Sequence, residues 1–458
     1  MAIRYTGLFK LSQLFSLASH LLRKWLAQSD VSARWSESSL CRDHLMQVPG
    51  GERSSFIILP MVDTQNIKDY IDRSRAAEVP DEVIDLTLVY VRCCHNKKVS
   101  VDFNNIHPGR NEILNSDKIS LQEKEYITRL DQCLRKFETM PQNYLDLYLW
   151  YSYNLLEKGC PVIFSIPNLA DFFNLSTKGL HFLSISDKCY TTFSIPKSNG
   201  SQREINAPIP KLMWIQRWIL ENILQKISVS DANTAYTPGS SIIKNAIPHV
   251  GAKVVIKMDI ESFFPSISFE RVMSVYLEIG YVYSVALLLT KLSCHKGKLP
   301  QGAPTSPMLA NIICRRLDLR LGNLAKKLGF QYTRYADDLT FSGNAMTDGL
   351  EKSVKKIVQS EGFSLSLKKT KVMRRNTSQR VTGLVINDKP NIPREYYRRI
   401  RAIIHNCLID GAHKQNLEGD DEAVFKQRLY GYAYYIHSVN QKLGNNLLQL
   451  LEHVNWNS

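Results

Sequence analysis

The stretch Tyr335-Ala336-Asp337-Asp338 constrains this chain more than any other. Phe330-Gln331-Tyr332-Thr333-Arg334 precedes it and Leu339-Thr340-Phe341-Ser342-Gly343 follows, both rich in the aromatic and β-branched residues that favour strands. The pattern reads as a strand-turn-strand hairpin with two carboxylates at its tip. Burying both flanks while leaving adjacent anions at the tip is costly without cations. Divalent metals are the usual remedy. An Asp-Asp turn alone says little, because Asp favours turns for backbone reasons of its own.

A third carboxylate, Asp259, closes the apolar run Val254-Val255-Ile256-Lys257-Met258, which has the length of a buried strand. Ile260-Glu261-Ser262-Phe263-Phe264-Pro265 follows it. Between Asp259 and the Asp-Asp pair lie Leu299-Pro300-Gln301-Gly302-Ala303-Pro304-Thr305-Ser306-Pro307 and a helical stretch from Met308 to Leu321. In this order the set resembles the palm of a reverse transcriptase, and more narrowly the bacterial retron type. Asn245-Ala246-Ile247-Pro248-His249 and Val381-Thr382-Gly383-Leu384-Val385 resemble blocks of the same enzymes. The resemblance begins at Gly159-Cys160-Pro161 and covers roughly the C-terminal two-thirds of the chain.

The fold implied by the resemblance is the α+β right-hand polymerase, with palm and fingers around an antiparallel catalytic sheet and a helical thumb. A mostly helical N-terminal extension stands outside it. The expected division is 1–158 for the extension, 159–390 for fingers and palm, and 391–458 for the thumb. The activity implied is RNA-directed DNA polymerisation by two-metal phosphoryl transfer. Two Mg2+ ions would be bridged by Asp259 and Asp337, with Ile260 in the metal shell and Asp338 completing it or orienting the primer end. Phe264 would stack beneath the sugar and exclude a 2′-hydroxyl, selecting dNTPs, and Gln301 would lie near the nascent pair. Lys197 and Arg203, flanking the Ser198-Asn199-Gly200 turn of a second hairpin, would close over the triphosphate. One of Lys368, Lys369 and Lys371 would protonate the leaving pyrophosphate, with Lys369 favoured.

RNA and primer contacts are expected at Asn245, His249, Thr382 and Gly383, and along a helical stripe of Arg394, Arg398, Arg399 and Arg401. The partners implied are a structured noncoding RNA serving as template and, through a guanosine 2′-hydroxyl, as primer; the RNA–DNA hybrid product; and an effector protein in antiphage defence. Two other readings stay open. One is a defence-associated reverse transcriptase primed differently; the other is a non-catalytic RNA-binding protein on a polymerase scaffold.

Composition agrees with a polyanionic partner: 58 Lys and Arg stand against 43 Asp and Glu, a formal charge of +15. Charge alone does not separate nucleic acid from an acidic membrane face. Nine cysteines without C-x-x-C spacing read as free thiols in a reducing, cytoplasmic setting. No apolar run approaches the ~20 residues that span a bilayer, so no membrane partner is expected. Residues 1–29 lack Asp and Glu and carry Leu8, Leu11, Phe15, Leu22, Trp25 and Leu26 at helical spacing. They read as a docked amphipathic helix or as an organellar presequence. A strand is expected over Val83 to Val91, loops over 104–111, and two helices over 120–158 broken at Met140-Pro141. The second of these carries Tyr144, Tyr148, Trp150, Tyr151 and Tyr153, suited to core packing or to base stacking.

Overall fold

The computed structural model describes residues 75, 83–89, 112–113, 115–136, 142–196, 200, 202–346, 349–416 and 421–456. The helix expected within 1–29, the loops of 104–111 and Lys197 lie outside these residues. Two compact units emerge, one formed by 1–227 with 269–305 and the other by 228–268 with 306–458. These cuts differ from the breaks at 158 and 390 expected from the sequence.

In the first unit, residues 83–89 form a helix rather than the expected strand. Val83, Leu86 and Val89 are all buried, and their spacing serves a helix face. A short apolar run cannot distinguish the two states by itself. Helix α1, Leu121–Leu134, opens on a capping box: the Ser120 amide donates to Glu123 Oε2 at 2.7 Å and the Glu123 amide donates to Ser120 Oγ at 3.4 Å. Helix α2 is Gln142–Leu156, and the break expected at Met140-Pro141 lies outside the described residues. Tyr148 and Tyr151 of α2 are buried against Phe164, with ring centroids 5.6 and 5.5 Å apart, and Tyr151 donates to the Ile163 carbonyl at 2.7 Å. These two aromatics are core.

Helices α3, Ile166–Phe172, and α4, Thr177–Ile185, each start on a serine cap. Strands β1, Tyr190–Pro196, and β2, Gln202–Pro208, pair antiparallel from Tyr190 opposite Pro208 to Pro196 opposite Gln202. Helix α5, Pro210–Asn222, carries a fully buried Gln216 whose Nε2 donates to Tyr190 Oη at 2.9 Å and to the Leu292 carbonyl at 2.8 Å. One amide thus ties α5 to β1 and to α7, Tyr283–Ser293, which packs beside α6, Phe269–Ile279.

The second unit is built on a four-stranded sheet in the order β4-β5-β3-β6, every pair antiparallel. Its strands are β3 Val254–Asp259, β4 Gln331–Tyr335, β5 Asp338–Gly343 and β6 Lys371–Arg374. Helices α8, Ser306–Ile313, α9, Arg315–Lys327, and α10, Leu350–Ser360, alternate with these strands in the chain. A two-residue ladder joins β7, Arg380–Val381, to β8, Leu384–Val385. Helices α11, Arg394–Asp410, α12, Glu422–Val439, and α13, Gln441–Glu452, follow. Ile400, Ile404, Leu429, Ile436, Leu447 and Leu451 of these helices share one core with Val255 of β3 and with Val381 and Leu384. The C-terminal helices therefore grow from the same apolar centre as the sheet. The α+β expectation holds: helices and strands both build the fold, and the paired strands are antiparallel.

Candidate active site

Four of the six residues of β3 are apolar and buried, so the strand is held on both faces and delivers Asp259 to its end, itself only 9% exposed. Asp338, first residue of β5, is its register partner. Alternation along the strands puts Lys257, Asp259, Asp338 and Thr340 on one face of the sheet. The turn from β4 to β5 contains Ala336 at φ 57°, a left-handed conformation that costs a non-glycine residue roughly 1–2 kcal/mol. This geometry swings Asp337 back toward β3. The Asp337 carbonyl accepts from the Ile260 amide at 2.9 Å. On the other side of the same strand end, the Asp259 carbonyl accepts from the Ser366 amide and the Ser364 carbonyl from the Glu261 amide, each at 2.8 Å. Ile260 also bridges to Leu365.

Three carboxylates gathered this way repel one another. Burial first, then the Asp259 charge and more weakly that of Asp338, hold the Asp337 carboxyl above its ordinary value. Two lysines offset part of the charge. Lys369 Nζ donates to Asp259 Oδ1 at 2.7 Å, and Lys257 Nζ to Asp338 Oδ2 at 3.2 Å. Lys369 holds its proton more tightly than usual, chiefly through that hydrogen bond. Of Lys368, Lys369 and Lys371, it is Lys369 that pairs with Asp259.

Among the described residues no group of three or more His, Cys, Asp or Glu side chains is arranged to hold a metal ion by itself. The donor set is nevertheless suited to a hard divalent ion, which is bound through one or two carboxylates with substrate phosphates and water supplying the rest.

Phe264 is half-buried, its ring 5.3 Å from Phe263 and 6.5 Å from Tyr236, whereas Phe263 is core and packs on Phe363 at 5.9 Å. In the first unit, Arg203 is exposed on β2 opposite Ile195. The Gln301 carbonyl accepts from the Asn206 amide at 2.8 Å. Gly302, at φ 123°, presses so close that a Cβ would lie 2.9 Å from Ile205 and 3.0 Å from the Asn206 carbonyl. Glycine is required there.

Asn245 and His249 were expected to touch RNA, but both are wholly buried. His249 bridges Thr333 Oγ1 of β4 and Ser342 Oγ of β5, each at 2.7 Å, and burial lowers its pKa to about 4. Asn245 Oδ1 accepts from Thr333 Oγ1 at 2.7 Å and Thr234 Oγ1 at 2.8 Å, and its Nδ2 donates to Thr382 Oγ1 at 3.4 Å. Their polar atoms are consumed inside the protein, so the RNA contact is not available to them. Thr382, at φ 45°, donates its hydroxyl to the Ile242 carbonyl at 3.2 Å, and Gly383 follows at φ 84°. Two sequence blocks more than 130 residues apart are thereby joined.

Arg394, Arg398, Arg399 and Arg401 are all exposed on α11. Arg394, Arg398 and Arg401 form one stripe with His405, while Ile400, Ile404 and Cys407 face the core. Sequence reading missed Lys257, Asn311, Asp318 and Arg334. The signal was a charged residue inside a strand pattern, at Lys257 and again at Arg334.

Residues 195–386 match the family described as reverse transcriptase (RNA-dependent DNA polymerase). The Retron Ec86 reverse transcriptase of Escherichia coli is 38% identical over 267 residues, 56% of this chain and 82% of that protein. The chain belongs to the retron reverse transcriptase family. The Retron Mx162 and Mx65 reverse transcriptases of Myxococcus xanthus are 39% and 37% identical over 57% and 56% of this chain. The matched parts make up 60% and 63% of those two proteins, so the chain spans about three-fifths of their length. A foamy viral protease-reverse transcriptase, solved in complex with double-stranded DNA, is 15% identical with a TM-score of 0.32, over 76% of this chain and 60% of that one. The matched residues 195–386 include Asp259, Asp337 and Asp338 and the blocks around Asn245 and Thr382.

Proposed function

We propose that this retron-family chain is an RNA-directed DNA polymerase that copies part of a structured noncoding RNA. The observation that carries the reading is the register of Asp259 against Asp338, with Asp337 returned to the same strand end. Polymerisation is an in-line phosphoryl transfer in which the protein chiefly positions groups and neutralises charge. Asp259 and Asp337, with Asp338 and the Ile260 main chain beside them, would hold two Mg2+ ions, which when bound neutralise phosphate charge and acidify the primer hydroxyl. Lys369 holds a proton beside Asp259 and serves as its donor to the leaving pyrophosphate. Phe264 offers its ring to the sugar and leaves no room for a 2′-hydroxyl. Lys197, Arg203 and Gln301 bind the nucleotide and nascent pair.

The primer and RNA run along Thr382, Gly383 and the arginine stripe of α11, with 391–458 as thumb, 159–390 as fingers and palm, and 1–158 as an extension. By the family likeness, priming uses a guanosine 2′-hydroxyl of the RNA, and the product is a branched RNA-linked DNA. It acts in cytoplasmic antiphage defence beside an effector protein. Among the described residues no helix is long and apolar enough to cross a membrane.

The test is to purify the chain with its co-purifying nucleic acid, supply labelled dNTPs and Mg2+, and sequence the product after debranching. RNA-linked DNA made by the wild type and abolished in Asp337→Asn supports the reading. RNA binding without incorporation under all conditions would overturn it in favour of a non-catalytic RNA-binding protein.

A further inference from the structure

The residue three positions before Asp337 is Arg334, a guanidinium with no exposed surface in the middle of an apolar sheet. Its donors are disposed with little slack. Nε and Nη2 form a bidentate pair with Asp318 of α9 at 2.8 and 2.7 Å, and both side chains are fully buried. Nη1 donates to Asn311 Oδ1 of α8 at 3.0 Å and to the Ala336 carbonyl at 3.1 Å. Tyr332 adds a hydrogen bond to Asp318 Oδ1 at 2.9 Å, and Asn311 Nδ2 donates to the Ala235 carbonyl at 2.8 Å.

The bond to Ala336 ends on the left-handed residue whose backbone aims Asp337. A strained turn persists only where its surroundings over-determine it. Here the constraint comes from both faces of β4. Arg334 is gripped from one face by α8 and α9, and Thr333 from the other by His249 and Asn245. The main chain between them is fixed as well, since the Arg334 amide donates to the Ala232 carbonyl at 2.8 Å and its carbonyl accepts from the Thr234 amide at 2.9 Å.

We propose that Arg334, seated on Asp318 and Asn311, is a positioning residue for the catalytic turn, holding the Ala336 carbonyl so that Asp337 is presented to the metals. It touches neither nucleotide nor template, and the inference rests on the polymerase reading given above. A buried pair that merely stabilised the fold would be replaceable by apolar side chains of similar volume, a change that buried ion pairs often tolerate. A positioning pair is not replaceable in function, because an apolar side chain leaves the Ala336 carbonyl without its donor.

The experiment compares wild type, the double variant Asp318→Leu with Arg334→Met, and Arg334→Lys. It reads melting temperature, Mn2+ binding by electron paramagnetic resonance, and kcat and KM for dNTP incorporation. The expected double variant stays folded but melts below the wild type, because the buried Tyr332 hydroxyl and Asn311 Oδ1 lose their partners; it binds Mn2+ about tenfold more weakly and loses kcat by tens of fold with KM for dNTP almost unchanged. Arg334→Lys keeps a charge facing Asp318 without the planar fork that reaches Asp318 and the Ala336 carbonyl together, and shifts Mn2+ binding and kcat in the same direction, about threefold to tenfold; it carries the test if the double variant does not fold. Wild-type kcat and Mn2+ affinity in either folded variant would overturn the positioning role while leaving the polymerase reading intact. A wild type that neither incorporates dNTP nor binds Mn2+ would overturn both.

Discussion

Among the described residues, the two long hairpins share a covalent plan and differ in nearly every physical respect. β1–β2 is exposed along most of its length, with Phe193 and Ile195 each nearly half accessible. β4–β5 is buried at seven of eleven strand positions, and its strands are gripped by Arg334 on one face and by His249 on the other. The first is anchored near its base through Gln216 and the Gly302 loop, and Arg203 stands exposed near its tip. The second is braced along its length and carries carboxylates at its tip. Rigidity and exposure are thus assigned to separate hairpins.

Breaking the braced hairpin is expected to give the largest effects. Asp337→Asn should lower incorporation by at least about 10³-fold, as removal of a charged group from a transition-state cluster does. It should also raise the melting temperature, because burial and the neighbouring charges disfavour the Asp337 anion in the folded state. Calorimetry beside a primer-extension assay checks both. A variant that loses activity and melts earlier would contradict the electrostatic account. Arg334→Ala leaves Asp318 buried without its partner and should cost about 3–5 kcal/mol, read from urea unfolding.

His249 supplies a pH signature confined to the same hairpin. Its folded pKa of about 4 lies below the unfolded 6.5, so the unfolded chain binds the extra proton first on acidification. Its contribution is fully present above about pH 6.5 and is lost as pH falls toward 4, on the order of 3 kcal/mol across that window. His249→Gln should flatten that slope; an unchanged profile of unfolding free energy between pH 4 and 7 would refute the assignment.

The exposed hairpin should answer differently. Gly302→Ala drives a Cβ into Ile205 and the Asn206 main chain and should cost about 1–3 kcal/mol. Hydrogen exchange should rise in β2 and stay unchanged in β5. Arg203→Ala, at an exposed position, should change unfolding free energy by less than about 0.5 kcal/mol while raising KM for dNTP several-fold. A destabilisation as large as that of Arg334→Ala would erase the contrast between the hairpins.

Much of the candidate site was legible before any coordinates. Asp259 at the end of an apolar run and the paired aspartates at a hairpin tip are local patterns, and local patterns survive into structure. Three readings failed for one reason. Residues 83–89 became helix, and Asn245 and His249 went inside instead of out. In each case the outcome depended on partners remote in the chain. A histidine beside a proline has no sequence mark that distinguishes an RNA contact from a buried bridge between two hydroxyls. Arg334 went unread because a charge within a strand pattern is ordinarily solvated; only the presence of Asp318 and Asn311 makes its burial tolerable.

By itself the amino-acid order determined which carboxylates this protein has, that two of them sit on one turn, and which family it resembles, because these follow from short-range spacing and side-chain type. Tertiary structure alone decided that Lys369 of three neighbouring lysines meets Asp259, that Lys257 meets Asp338, and that Arg334 and His249 brace β4 from opposite faces. The reason is that ion pairing and desolvation are set by distance in space. The residues that set them here lie from 16 to 110 positions apart in the chain.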